Sequence, residues 1–120
     1  MRGQHILVVD DNLDARESLA EVLEIAGYTV EKAENGRIAL DMLVAHPAAL
    51  VLLDLMMPVM DGWQVVEAMR GDRELSQVPV VIVSASMVPP PDGVPVLRKP
   101  APVDEVLTRV REGLDGSLPR

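Results

Sequence analysis

Four short apolar runs, each leading to a residue that carries charge or a hydroxyl, constrain this chain more than any other feature. Ile6 to Val9 runs into Asp10 and Asp11, Leu50 to Leu53 into Asp54, and Val80 to Val83 into Ser84. Val96 to Leu97 stops just short of Lys99. Runs this short, aliphatic and unbroken suit strands covered on both faces, as in a parallel sheet. Ligands of open parallel sheets bind outside the carboxyl ends of the strands. Polar residues recurring at those ends are therefore expected to converge on one cleft.

Amphipathic segments separate the runs. Leu19, Val22, Leu23 and Ala26 follow one helical face, and Gly27 closes that helix before a strand over Tyr28 to Ala33. Ala39, Leu40, Leu43 and Val44 mark a second helix ending near Pro47. Val65, Val66 and Met69 mark a third, with Asp61 as N-cap and Gly71 as stop. Val103, Val106, Leu107, Val110 and Leu114 give a last helix, with Asp104 and Glu105 in its first turn. This βα alternation predicts an α/β fold with helices on both faces of a parallel sheet.

The stretch between Ser84 and Val96 breaks the alternation. Prolines at 89, 90, 91 and 95 remove backbone donors and forbid a regular helix interior. An irregular or polyproline-like crossover is expected there, with at most one helical turn. Pro95 suits an edge strand better than a central one.

With 120 residues the chain has room for one core, expected over residues 1–115, with 116–120 a C-terminal tail or the start of a linker. The net charge of -8 argues against a nucleic-acid surface, which needs a basic stripe. Absence of cysteine excludes disulfides and thiolate chemistry and fits a cytoplasmic location. The longest apolar stretch, Ala48 to Met60, is broken by Asp54 and Pro58, and no membrane insertion is expected.

Carboxylates crowded at one end of a sheet repel one another, which raises a pKa or recruits a cation. A hard divalent ion such as Mg²⁺ suits an all-oxygen donor set. A carboxylate can also attack phosphorus to give an acyl phosphate, and Asp54 is the best candidate, standing alone at its strand end. Asp10 and Asp11 read as a metal-binding pair. Lys99 offers a mobile charge and Ser84 a hydroxyl to phosphoryl oxygens. Phosphoryl transfer needs mostly positioning and charge neutralisation, which these positions supply.

At Ile-Leu-Val-Val-Asp-Asp-Asn (6–12), Leu-Leu-Asp-Leu-Met-Met-Pro-Val-Met-Asp-Gly (52–62), Val-Ser-Ala (83–85) and Lys99-Pro100, the chain resembles the receiver domain of two-component response regulators, including the stand-alone chemotaxis type. The resemblance covers essentially the whole length. It implies a flavodoxin-like three-layer sandwich with a five-stranded parallel sheet in the order 2-1-3-4-5. It also implies that Asp54 accepts a phosphoryl group from a histidine kinase or histidine phosphotransfer domain. Mg²⁺ would be bound by Asp11 and Asp54 directly, by Asp10 through water, and by the backbone carbonyl of Met56. Ser84 and Lys99 would contact the phosphoryl group and couple it to a change in contacts with a downstream protein.

Two departures stand out. The position three before the lysine, often an aromatic switch in this family, is Val96. The proline-rich crossover replaces or shortens the family's fourth helix, part of the usual output surface. A missing helix is expected to leave apolar sheet for a second copy or a partner to cover. These departures motivate a rival reading, a pseudo-receiver that signals without phosphate, while the intact acidic, hydroxyl and lysine positions oppose it. A metal-dependent phosphatase would need a second acid or a cap, and a flavin protein would offer phosphate donors where this chain has acids.

Other features take bland readings. Asp10, Asn12, Asp14 and Glu21 match positions of a calcium loop, but Ala15 stands where the turn needs glycine. Met57 and Met60 read as loop packing, Trp63 as partly exposed near the cleft, and His5 and His46 as surface residues without a role. Whether Lys99-Pro100 is cis is left open by sequence.

Overall fold

The computed structural model describes residues 5–116, so the expected tail lies outside the described residues from position 117 onward. The chain runs β1 (His5–Val9), α1 (Leu13–Ile25), β2 (Thr29–Ala33), α2 (Gly36–Ala45) and β3 (Leu50–Leu53). It continues through α3 (Gly62–Arg70), a 3-10 turn (Leu75–Gln77), β4 (Val80–Ser84), β5 (Val96–Arg98) and α4 (Val103–Leu114). The strands form one five-stranded sheet in the order β2-β1-β3-β4-β5. Every pairing is parallel. This is the flavodoxin-like arrangement that the sequence resemblance implies.

The continuous apolar runs are explained by two cores. Leu7, Val9, Val51, Leu53 and Ile82 face one side, where they meet Leu40 and Leu43 of α2 and Val65 and Met69 of α3. Ile6, Val8, Leu50, Leu52, Val81 and Val83 face the other, against Leu23 of α1 and Val106 and Val110 of α4. Successive strand residues point to opposite faces, so a strand buried on both has no polar position within it.

Local signals set the helix ends. Asn12 and Asn35 cap α1 and α2 by accepting from the amides of Ala15 and Ile38, each at 2.9 Å. Asp61 and Gln64 form a reciprocal capping box at the start of α3. Gly27, at φ +101°, makes the left-handed turn that releases α1 into β2. At Gly62 a Cβ would lie 2.6 Å from the Asp54 carbonyl oxygen, so only glycine lets α3 begin this close to the end of β3. The helix starting at Leu13 also removes the calcium-loop reading, since a coordinating loop cannot occupy residues already in α1.

Residues 85–95 contain no helix, as the prolines require. The bare sheet expected beneath them is not found. Ile82 has 0 % exposure, and Val80, Val94 and Val96 pack against the core on that side. Side chains of α3 hold the crossover down: Trp63 Nε1 donates to the Pro89 carbonyl at 2.9 Å, and Arg70 donates to the Asp92 carbonyl. Arg98 of β5 donates to the Ser86 carbonyl. A proline-rich segment has few amide donors but keeps all its carbonyls, and these donors satisfy three of them. Within the crossover itself, Met87 and Val88 are exposed.

Two further expectations are corrected. His5 is buried rather than on the surface, because it points to the same sheet face as Leu7 and is covered at the end of α2. Val44 is exposed, since it lies one residue beyond the buried Leu43 and turns out of the helical stripe. Among the described residues, no helix is long and apolar enough to cross a membrane.

Candidate functional site

Strand register assembles the carboxyl-end residues. Val9 pairs with Leu53, which places Asp10 and Asp54 side by side just beyond β1 and β3. The Asp54 amide donates to the Val9 carbonyl at 2.9 Å, prolonging the ladder to the acid itself. On the other flank Ser84 pairs with Arg98, and the Lys99 amide donates to the Ser84 carbonyl at 3.1 Å. Lys99 thus starts from the end of β5, three places from β1, with β3 and β4 between. Its four-carbon stem reaches back across the strand ends, and its Nζ lies 2.6 Å from Asp10 Oδ2 and 3.5 Å from Asp54 Oδ2. The Lys99-Pro100 bond is cis.

Asp10, Asp11 and Asp54 each offer a carboxylate oxygen within 4.8 Å of the others. Asp10 and Asp54 are buried, whereas Asp11 is exposed at the rim. Asp10 is held from several sides: the Asn12 amide donates to Oδ1 at 2.9 Å, and Arg16 Nη1 donates to the Asp10 carbonyl at 2.8 Å. Sequence reasoning assigned no part to Asn12 or Arg16. The available signal was the N-cap position of Asn12, with Arg16 one turn into the helix.

Burial pushes the Asp54 carboxyl above the usual carboxylate range, and Asp10 adds to this. The Lys99 charge and the Met56 and Leu55 amides oppose the shift without cancelling it. Burial lowers the Lys99 pKa, but hydrogen bonding and charge from Asp10 and Asp54 outweigh it, so Lys99 is held above the usual lysine value. Lys99 therefore remains a cation at neutral pH.

Ser84 is 1 % exposed, and its Oγ accepts from the Ser86 amide at 3.1 Å. The hydroxyl proton remains available to a ligand. Met56 lies two residues beyond Asp54 with an exposed side chain. In the same loop Val59 adopts φ 69°.

The donor set fits a hard cation: three carboxylates, all oxygen, from two strand ends, with Asp11 open to solvent. A separate groove of about 550 Å³ lies between α1 and α4, bordered by Leu19, Val22, Val83, Val106 and the Lys99 stem. Its lining is mainly apolar, in contrast to the acidic cluster.

Comparison with known proteins agrees with this fold. The response regulator MprA of Mycolicibacterium vanbaalenii is 36% identical over 95% of this chain, which spans 52% of that protein. The chain thus covers about half the length of this curated relative. The receiver domain of a signal transduction histidine kinase from Syntrophus aciditrophicus superposes with a TM-score of 0.85, at 28% identity over 95% of this chain and 92% of that one. The response regulator TrrA of Thermotoga maritima, solved in complex with Mg²⁺-BeF, gives 0.82 at 30% identity, covering 92% of this chain and 98% of that one. Residues 6–111 match the response regulator receiver domain, and the chain belongs to that family of two-component signalling domains.

Proposed function

We propose that this receiver accepts a phosphoryl group on Asp54 from a phosphohistidine of a histidine kinase or phosphotransfer domain. The reading is carried by one observation, the Lys99 ammonium lodged between the buried carboxylates of Asp10 and Asp54. An oxygen of Asp54 forms the new bond to phosphorus as the bond from phosphorus to the donor imidazole nitrogen breaks. The electron pair of that bond leaves with the imidazole.

Mg²⁺ held by Asp10, Asp11, Asp54 and the Met56 backbone carbonyl would supply the positive charge that lets a phosphate enter an acidic cleft. Lys99 turns from the carboxylates toward the phosphoryl oxygens, and Ser84 donates its hydroxyl to another of them. Asn12 and Arg16 keep Asp10 in place. The domain acts as a switch rather than a conventional turnover enzyme. Its output is a change in protein contacts with a downstream target or a second copy, routed through the crossover that joins Ser84 to β5.

Intact mass after incubation with acetyl phosphate and Mg²⁺ tests the reading. Native protein should gain one phosphoryl group, and Asp54→Asn or chelated protein none. If acetyl phosphate and a phosphohistidine donor both leave the native mass unchanged, the pseudo-receiver reading replaces this one.

A further inference from the structure

We propose that His5, Glu31 and His46 form a second cation site, for a transition-metal dication of the Zn²⁺ class, remote from Asp54. His5 opens β1, while Asp10 follows its last residue, so the two clusters are separated by about 15 Å along the strand. Three elements meet at the remote end. His5 and Glu31 share the sheet face of α2, and His46 caps that helix through an amide bond of 2.8 Å to the Met42 carbonyl.

His5 Nε2 lies 3.2 Å from Glu31 Oε1. The His5 and His46 rings stack with centroids 4.6 Å apart. Each of the three residues offers a ligand atom within 4.8 Å of the others. Donors on a tetrahedral ion with bonds of about 2.0–2.1 Å lie closer together than this limit. Glu31 and His46 would rotate to close that distance, and both side chains have the solvent access to do so.

A simple ion pair between His5 and Glu31 is the competing explanation. That pair engages one imidazole and leaves the second, His46, stacked beside it with ring centroids 4.6 Å apart, without a part. A shared ion engages all three side chains. The C-terminal end of α2 adds its negative dipole, and no basic residue in its last turn competes for it. Two nitrogens and one carboxylate select a borderline ion over Mg²⁺, while the cluster at Asp54 offers only oxygen. The two ends of the sheet thereby sort two metals by donor chemistry.

Calorimetric titration of Zn²⁺ into the full chain, with saturating Mg²⁺ to occupy the acidic cluster, tests this site. One Zn²⁺ should bind per chain, with equal affinity in native protein and in Asp54→Asn. His46→Ala and Glu31→Gln alter solvent-accessible side chains and should each weaken binding by at least about tenfold, the loss typical of removing even an outer-shell partner. Zn²⁺ should also raise the Tm of native protein but not of His46→Ala. Absence of saturable binding, affinity unchanged in either ligand variant, or binding abolished by Asp54→Asn overturns the site.

Discussion

The Lys99 ammonium lies closer to Asp10, at 2.6 Å, than to Asp54, at 3.5 Å. Without a metal, it is the cation that makes two buried acids tolerable side by side. Lys99→Gln removes it and leaves Asp10 uncompensated. Because the ammonium retains some solvent contact, the cost should be about 2 kcal/mol, below that of a fully buried pair. Added Mg²⁺ should recover part of the loss by replacing the missing charge. Urea unfolding with Mg²⁺ or with chelator measures both effects, and a Mg²⁺ response no larger than that of native protein would sink the argument.

Asp54 should make metal-free stability depend on pH in the opposite sense to an ordinary paired carboxylate. Its folded pKa is raised from 3.8 by burial, so across the window between those values the native state binds more protons than the unfolded state. Stability from this group is therefore full below the ordinary value and is lost as pH rises through the window. Asp54→Asn removes that loss. With metal chelated, the variant should match native protein near the acidic limit and exceed it at neutral pH. Subtracting the two unfolding curves isolates Asp54, and a difference independent of pH would contradict the assignment.

Much of this arrangement was legible in the sequence because two-sided burial leaves a direct trace, an apolar run broken only where the strand leaves the core. Leu53 and Asp54 are adjacent in sequence, yet one is core and the other lies at the cleft. Caps at Asp61 and Gly71 were equally readable, since local hydrogen bonding decides them. Burial of His5 was not readable. Its environment is made by α2, 41 residues later at His46, and a polar residue before an apolar run looks like a strand end in water. Coverage of Ile82 was hidden for a similar reason: the prolines forbid a helix, but only tertiary contacts from Trp63 and Arg70 show where the irregular chain lies.

Val59 offers a test of strain beside the site. Its φ of 69° is a conformation that a β-branched residue adopts at a cost of about 1–2 kcal/mol, and its side chain is 78% exposed. Asparagine tolerates this conformation, and little packing is lost in the exchange. Val59→Asn should gain about 1 kcal/mol in urea unfolding while acquiring phosphoryl on Asp54 as native protein does. A variant no more stable than native protein would mean that the loop relaxes freely around Val59.

The bond from Trp63 to Pro89 makes α3 the anchor of the crossover, so loosening it should alter the segment that stands where the family's fourth helix would be. Trp63→Phe keeps an aromatic ring over the core and removes only the donor. The Pro89 carbonyl remains partly open to water, and global stability should fall by about 1 kcal/mol or less. The local effect should be larger: amides of Val88, Asp92, Gly93 and Val94 should exchange faster with deuterium, while those of β1 and β3 keep their protection. Phosphorylation of native protein should alter exchange in the same amides if the signal leaves through this segment, because Ser84 begins it and Arg98 ties β5 to it. Unchanged exchange there on phosphorylation, with changes confined to another face, would remove the crossover from the output path.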